Sequence, residues 1–325
     1  MVDTMLMFDM RAPSFGASPR ELYAAAPEMS AYADEHGIRR IAVCEHHGAD
    51  DGYVPSNFVM LAALASRTKR ARLLPNACIL PLHDPVDIAE QIAVTDLISG
   101  GRLDVLVGAG YVPSEFASFG VKLADRGQRL DRGLEVIIRA LSGERFEMDG
   151  RTIFVRPLPL QKPYPPLFVG GGVAASAIRA ARFGAGFAPL RQDLNQIYDA
   201  ECRRLKREPG EKLFFPPAFC IHVVEDPERG WAELMPHAAH VIASYARWSA
   251  EATGASSPFE SLAPDDVVRQ SGMFHVLTPA QCVTFAAACA TAGHTMSVQP
   301  LIGGMAPDVG WRSLELFCTK VLPHL

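Results

Sequence analysis

The side chains with the most chemical reach stand together at Glu45, His46 and His47, directly after the apolar run Ile41-Ala42-Val43-Cys44. A short run rich in Ile and Val reads as a buried strand of a parallel sheet. The three titratable groups then fall at its carboxyl end, where parallel α/β folds bind their ligands. Histidine titrates near neutral pH, so His46 can both give and take a proton. Adjacent residues at a strand end point in different directions, so the pair does not share one role. The strand end as a whole is the candidate chemical centre, with neither histidine singled out by the residues alone. Glu45 is expected to pair with an arginine or to orient the His46 ring. The alternative is a capped strand end whose histidines only hydrogen-bond.

A second group with chemical meaning is Gly170-Gly171-Gly172, followed by Val173 and by Ser176 in the first turn of a helix. Glycines let the backbone approach an anion, and the first amides of a helix point outward without partners. This reads as a phosphate cradle; the plainer reading is a tight strand-to-helix turn. Gly108-Ala109-Gly110 lacks the third glycine of a dinucleotide fingerprint and is followed by Pro113, so it suits backbone clearance for a flat ligand better than a phosphate. A metal reading is weaker. Consecutive residues rarely converge on one ion, and His83-Asp84 would add ligands only if the fold brought them in. Cys44 and Cys78 lie in apolar strands and read as buried thiols, and Met5, Met7 and Met10 as core or pocket lining.

The elements that must position these groups alternate. Strands are expected over 4–10, 41–44, 72–80, 103–107, 167–169, 185–188, 212–224 and 295–301, with helices between them. Ser18-Pro19, Asp84-Pro85 and Thr278-Pro279 each pair an N-cap with a proline at the first helical position, and Ser56 is expected to cap a further helix. Residues 146–154 read as a hairpin turning at Asp149-Gly150. The helix over 227–251 is expected to be irregular at Pro236, and 252–277 to form a mobile loop. A helix over 311–321 closes the series. Eight strands alternating with about eight helices favour a (β/α)8 TIM barrel with insertions, one domain over 1–325.

Composition narrows the function further. The 325 residues are 49% hydrophobic and 21% charged, with a formal net charge of −5. There is no basic block to suggest a nucleic-acid partner, and no apolar run long enough to cross a membrane. The patch Met5 to Phe8 is too short for a signal peptide. Seven scattered cysteines, an odd count, fit reduced thiols in a cytoplasmic protein.

The order of these motifs resembles the bacterial luciferase-like flavin-dependent monooxygenases. The resemblance rests on Glu45-His46-His47-Gly48, on Leu80-Pro81-Leu82-His83-Asp84-Pro85, and on Ala89-Glu90-Gln91-Ile92-Ala93 leading to Asp96-Leu97-Ile98-Ser99-Gly100-Gly101-Arg102-Leu103. Glu115-Phe116 through Phe119-Gly120, Pro165 through Gly172 and the closing helix extend it over most of the chain. It implies a TIM barrel that binds FMN as FMNH2, delivered by a separate NAD(P)H:flavin reductase. Oxygen would add to the reduced flavin, and the resulting peroxyflavin would oxidise a small organic substrate. It places His46 beside the flavin as the catalytic histidine, which leaves His47 an expected structural role with a bond to backbone, and it places Asn76-Ala77 against the isoalloxazine, where a non-proline cis peptide is expected. Gly108 lies on the flavin side, and Gly171, Gly172, Val173 and Ser176 hold the phosphate. It also implies a homodimer. Gly108-Ala109 replaces the Cys-Arg of luciferase, so light emission is not implied. Two other readings are a deazaflavin-dependent hydride-transfer enzyme of the same barrel family and a non-catalytic flavin-binding protein. The deazaflavin relatives often carry a tryptophan near an aspartate-histidine pair, and none occurs here before Trp231.

Overall fold

In a computed structural model the described residues are 2–214, 220–254 and 268–325. The chain begins with strand β1 (Thr4–Phe8), helix α1 (Pro19–Glu35), β2 (Arg40–Val43), α2 (Asn57–Arg67), β3 (Arg72–Pro75), α3 (Pro85–Ser99) and β4 (Val105–Val107). A short helix α4 (Pro113–Ser118), α5 (Arg126–Leu141) and the hairpin β5 (Phe146–Met148) and β6 (Arg151–Ile153) follow. Then come β7 (Leu167–Gly171), α6 (Ala174–Phe183), β8 (Gly186–Pro189), α7 (Leu194–Arg204), β9 (Cys220–Val223) and α8 (Pro227–Thr253). β10 (Phe274–Leu277), α9 (Pro279–Ala292), β11 (Met296–Val298) and α10 (Pro307–Leu316) complete the set.

Parallel pairing runs β11-β1-β2-β3 and β4-β7-β8. Single bridges from Leu73 to Leu103 and from Cys78 to Val107 join β3 to β4. Lys212 pairs with Phe187 of β8, and Thr295, just before β11, donates its amide to the Phe214 carbonyl. The staves thereby close on themselves as a (β/α)8 TIM barrel. Strands shielded on both faces must be apolar throughout, which is why Met5, Leu6, Ile41, Ala42, Leu73, Leu74, Val107 and Val169 are all buried. The three expected methionines, Met5, Met7 and Met10, are core residues, and all seven cysteines are free and buried.

The two ends of the barrel are built differently. At the amino ends of the strands, Arg40 pairs with Asp3 at 2.9 Å and Arg72 with Asp104 at 2.6 Å, a scaffold of ion pairs. At the carboxyl ends lie Glu45-His46-His47, Asn76-Ala77, Gly108-Ala109 and Gly170 to Gly172. Conserving stability at one end and presenting reactive groups at the other is the division of labour of such barrels.

Several elements differ from the pattern in the sequence. The strand expected over 72–80 ends at Pro75, and Leu80–Leu82 make a turn of 3-10 helix; between them the Asn76-Ala77 peptide is cis, which agrees with the expectation. Of the stretch 212–224, only 212–214 join the barrel among the described residues, while β9 pairs with β10 beside it. β10 itself falls within the expected loop over 252–277, whose residues 255–267 lie outside the described set. Phe274 and Val276 alternate with His275 and Leu277, so two apolar side chains bury on one face of a strand too short to stand out from its surroundings. α8 runs unbroken through Pro236, and the last helix starts earlier, at Pro307, and loosens to a π turn over Phe317–Val321. α4 has no counterpart in the periodicity. Ser56 stands at the N-cap of α2 but makes no side-chain cap bond, whereas Ser18 and Thr278 close full capping boxes with Glu21 and Gln281.

The buried carboxylate of Asp34, at the end of α1, accepts the backbone amides of Lys69, Arg70 and Ala71 at 2.8, 3.0 and 2.6 Å. It thereby fixes the start of β3, the strand that carries Asn76. Asp34→Ala leaves these donors without an acceptor and should lower unfolding stability by about 2–4 kcal/mol in urea titration.

Candidate active site

Glu45 and His46 leave the end of β2 in opposite directions. The Glu45 carboxylate is 4% exposed and fully engaged. Its Oε1 accepts from His83 Nε2 at 2.8 Å, His47 Nε2 at 3.1 Å and the Ile79 amide at 3.1 Å, and its Oε2 accepts from Asn57 Nδ2 at 2.7 Å. Burial alone would raise this carboxyl, but the hydrogen bonds from His47 and His83 outweigh it and hold the group below the usual carboxylate range. Glu45 therefore neither meets an arginine nor orients His46, contrary to the sequence expectation. The His47 ring bonds this carboxylate, where a bond to backbone was expected.

The partner of His46 is Glu115, from the first turn of α4. His46 Nδ1 lies 2.7 Å from Glu115 Oε1, which also accepts the His47 amide at 2.9 Å. Glu115 Oε2 is buried and has no partner among the described residues. Fixing Nδ1 in this way leaves Nε2 as the ring nitrogen not committed to this pair. The imidazole is enclosed by rings. Trp248 stacks on it at 4.2 Å with 21° between the planes, and Tyr53, Tyr245 and Tyr111 present edges at 4.8, 5.8 and 6.1 Å. The Tyr53 and Tyr245 hydroxyls meet at 3.1 Å, and burial pushes both phenols up, so they stay neutral.

The remaining groups named from sequence stand on the same rim. Gly108 faces Ala77: a Cβ at 108 would sit 3.5 Å from the Ala77 Cβ. Gly110 has φ +68°, and a Cβ there would fall 2.6 Å from Ile79 Cγ2, so only glycine fits between β4 and the turn after β3. At the β7–α6 turn, a Cβ on Gly171 would lie 2.7 Å from the Ser176 Oγ. α6 has no side-chain cap, because its N-cap position is the exposed Val173. A bare glycine cradle in front of open helix amides is the donor set an anion such as a phosphate requires. The Ser176 hydroxyl donates to the Val173 carbonyl at 2.6 Å, so it shapes the turn.

Glu45, His47 and His83 also have ligand atoms within 4.8 Å of one another, a spacing that could hold a metal ion. The fold thus brings His83 in, the condition the sequence left open. The hydrogen bonds around Glu45 satisfy the carboxylate without an ion.

Glu115, Tyr53, Trp248 and Tyr245 escaped the sequence reading as site residues. Glu115 had a usable signal: Pro113 at a helix start two residues past a strand-end loop puts the next acidic residue on the rim. Tyr245 and Trp248 share a helical face three residues apart, but nothing local says which strand end that face meets. Since the Glu45 carboxyl lies below its unfolded value, its bonds stabilise the fold at neutral pH and their contribution fades as pH falls through that value. Glu45→Gln, which turns an amide toward N–H donors, should cost about 3 kcal/mol at pH 7 by urea unfolding. The gap from the parent chain should narrow on acidification.

Known proteins share this architecture. The solved structure of monooxygenase RslO1 from Streptomyces bottropensis superposes with a TM-score of 0.76 at 24% identity, covering 100% of this chain and 99% of that one. The oxygenating constituent of 3,6-diketocamphane monooxygenase from Pseudomonas putida, solved with FMN, gives 0.74 at 19% identity, covering 99% and 98%. In sequence, the oxygenase component of the flavin-dependent trigonelline monooxygenase of Acinetobacter baylyi is 31% identical over 171 residues, 50% of this chain and 47% of that protein. The chain spans about half the length of the curated relatives it matches. The family model described as luciferase-like monooxygenase matches residues 5–295, so the chain belongs to the luciferase-like monooxygenase family.

Proposed function

We propose that this chain is the oxygenase of a two-component flavin monooxygenase, one barrel domain that uses reduced FMN and molecular oxygen to oxidise a small organic substrate. The observation that carries this reading is the buried His46–Glu115 pair on the rim that also holds the Gly170–Ser176 turn. Reduced flavin, when bound, supplies the two electrons by which one oxygen atom enters the substrate and the other leaves as water. In this reading Gly171, Gly172 and Val173 cradle the flavin phosphate at the start of α6, with Ser176 shaping the turn, and Asn76, Ala77 and Gly108 leave room for its ring system. His46 holds or moves a proton at Nε2, while Glu115 fixes the tautomer and balances charge on the ring. Trp248, Tyr53 and Tyr245 keep water from the imidazole. The Acinetobacter relative is named as an oxygenase component, which supports a separate reductase as the source of reduced flavin.

We also propose that the chain forms a homodimer through α2 and α3. Val59, at 70% exposed, and Val94, Leu97 and Ile98 leave apolar surface on these two neighbouring helices.

The cofactor assignment is tested by anaerobic titration with reduced FMN and, separately, with reduced deazaflavin. Tight preference for the deazaflavin overturns the monooxygenase reading. Admitting oxygen to the FMN complex should give a transient absorbance distinct from oxidised FMN. His46→Ala should keep reduced-FMN binding within a few-fold yet lower turnover by roughly 10²–10⁴-fold, the usual worth of a positioned proton carrier. For the dimer, light scattering should give twice the chain mass, and Leu97→Arg should halve it.

A further inference from the structure

Helix α8 is fastened to the rim at two places. Near its middle, Arg11 Nε donates to Asp51 Oδ2 at 2.6 Å, His240 Nε2 bonds the same oxygen at 2.6 Å, and Arg11 Nη2 donates to Ser244 Oγ. Arg11 is 1% exposed, and hydrogen bonds from His240 and Arg11 outweigh the burial of Asp51 and hold its carboxyl at about 2. Near the end of α8, the Glu251 carboxylate accepts the Ser114 amide at 2.6 Å and the Ser114 hydroxyl at 3.1 Å. Ser114 directly precedes Glu115. The second fastening therefore ties α8 to the short helix that supplies the partner of His46.

Between the two fastenings, α8 presses Tyr245 and Trp248 onto the site. The Arg11 guanidinium lies 5.5 Å from the Trp248 ring centroid and 5.2 Å from that of Tyr53, a cation backing the aromatic wall. His46 is thus restrained on every side but one. Its Nδ1 is on Glu115, one face lies under the indole, and tyrosine edges close the flanks. A stack with ring centroids 4.2 Å apart leaves no room for water between the rings.

We propose that Trp248 is a positioning residue for His46. It fixes the plane of the imidazole and shields it from water, and the Glu251–Ser114 fastening keeps this cover in register with Glu115. The inference rests on the reading of His46 as the proton carrier, but its geometry belongs to the flavin-free chain and can be measured there.

The experiment is acylation of the intact, flavin-free chain by diethylpyrocarbonate, followed at each histidine by peptide mass mapping. Burial protects a group in proportion to how rarely its cover opens, so Trp248→Ala should speed modification of His46 by roughly tenfold or more. His47 and His83, held by Glu45 on the other side of the strand end, should react as before. Trp248→Phe, which keeps a stacking ring, should restore the protection. Glu251→Ala, at an exposed position, should give an intermediate rise. Unchanged modification of His46 in both Trp248→Ala and Glu251→Ala overturns the proposal. So does acceleration shared equally by His47 and His83, which would mean general loosening. If the parent chain fails to bind reduced FMN, the oxygenase reading falls while the outcome for Trp248 stands on its own.

Discussion

A carboxylate removed from water must be met by donors, and at Glu45 this requirement organises the rim of the barrel. An unpartnered charge in that place would cost several kcal/mol. Four donors prevent it, and they come from different segments: Asn57 at the start of α2, His47 from the loop after β2, and Ile79 and His83 from the turn after β3. Satisfying one buried anion therefore fixes the loops that follow two neighbouring strands. The segment between β3 and α3, which includes Asn76 and Ala77, is held against the end of β2. With Glu45 committed inward to this cluster, alternation along the chain sends His46 to the opposite side, toward Glu115 and the aromatic wall.

The second half of the site is assembled from far away in sequence. Glu115 is separated from His46 by 69 positions, and Trp248 comes from a helix in the last third of the chain. A barrel makes such convergence cheap, because every βα loop opens onto the same rim. It also explains why ring-on-ring packing can surround a polar imidazole. Aromatic edges and faces exclude water without demanding hydrogen bonds from the ring, so Nδ1 keeps its carboxylate and Nε2 stays available.

Much of this was legible in the residues, and the failures have a common cause. Strands such as 41–44 and the Ser18-Pro19 and Thr278-Pro279 helix starts are local events, set by apolar runs and caps, and they stand where the pattern puts them. The glycines at 110 and 171 are also signals readable from residue type, since a Cβ at either would fall 2.6 or 2.7 Å from a neighbour. Partner choice is not local. The sequence puts Glu45 next to His46, and adjacency suggests an interaction that the direction of the side chains forbids. β10 was hidden for a similar reason: it is recognised by pairing with β9, a contact across more than fifty residues. The short α4 escaped because one and a half turns leave no periodicity to read.

The two glutamates of the rim show how burial and bonding separate structure from chemistry. Both are nearly inaccessible. Glu45 has every acceptor in use, with two imidazoles, an amide and an asparagine fixed around it, and any change of its charge would unsettle two loops at once. Glu115 has one oxygen on His46 and His47 and the other without a partner among the described residues. A carboxylate that is incompletely satisfied contributes less to the fold than a saturated one, and what it does hold is the orientation of the imidazole at Nδ1 and of the His47 amide. Two buried acids with the same side chain thus divide the work: the saturated one builds the rim, and the unsaturated one gives the histidine its direction.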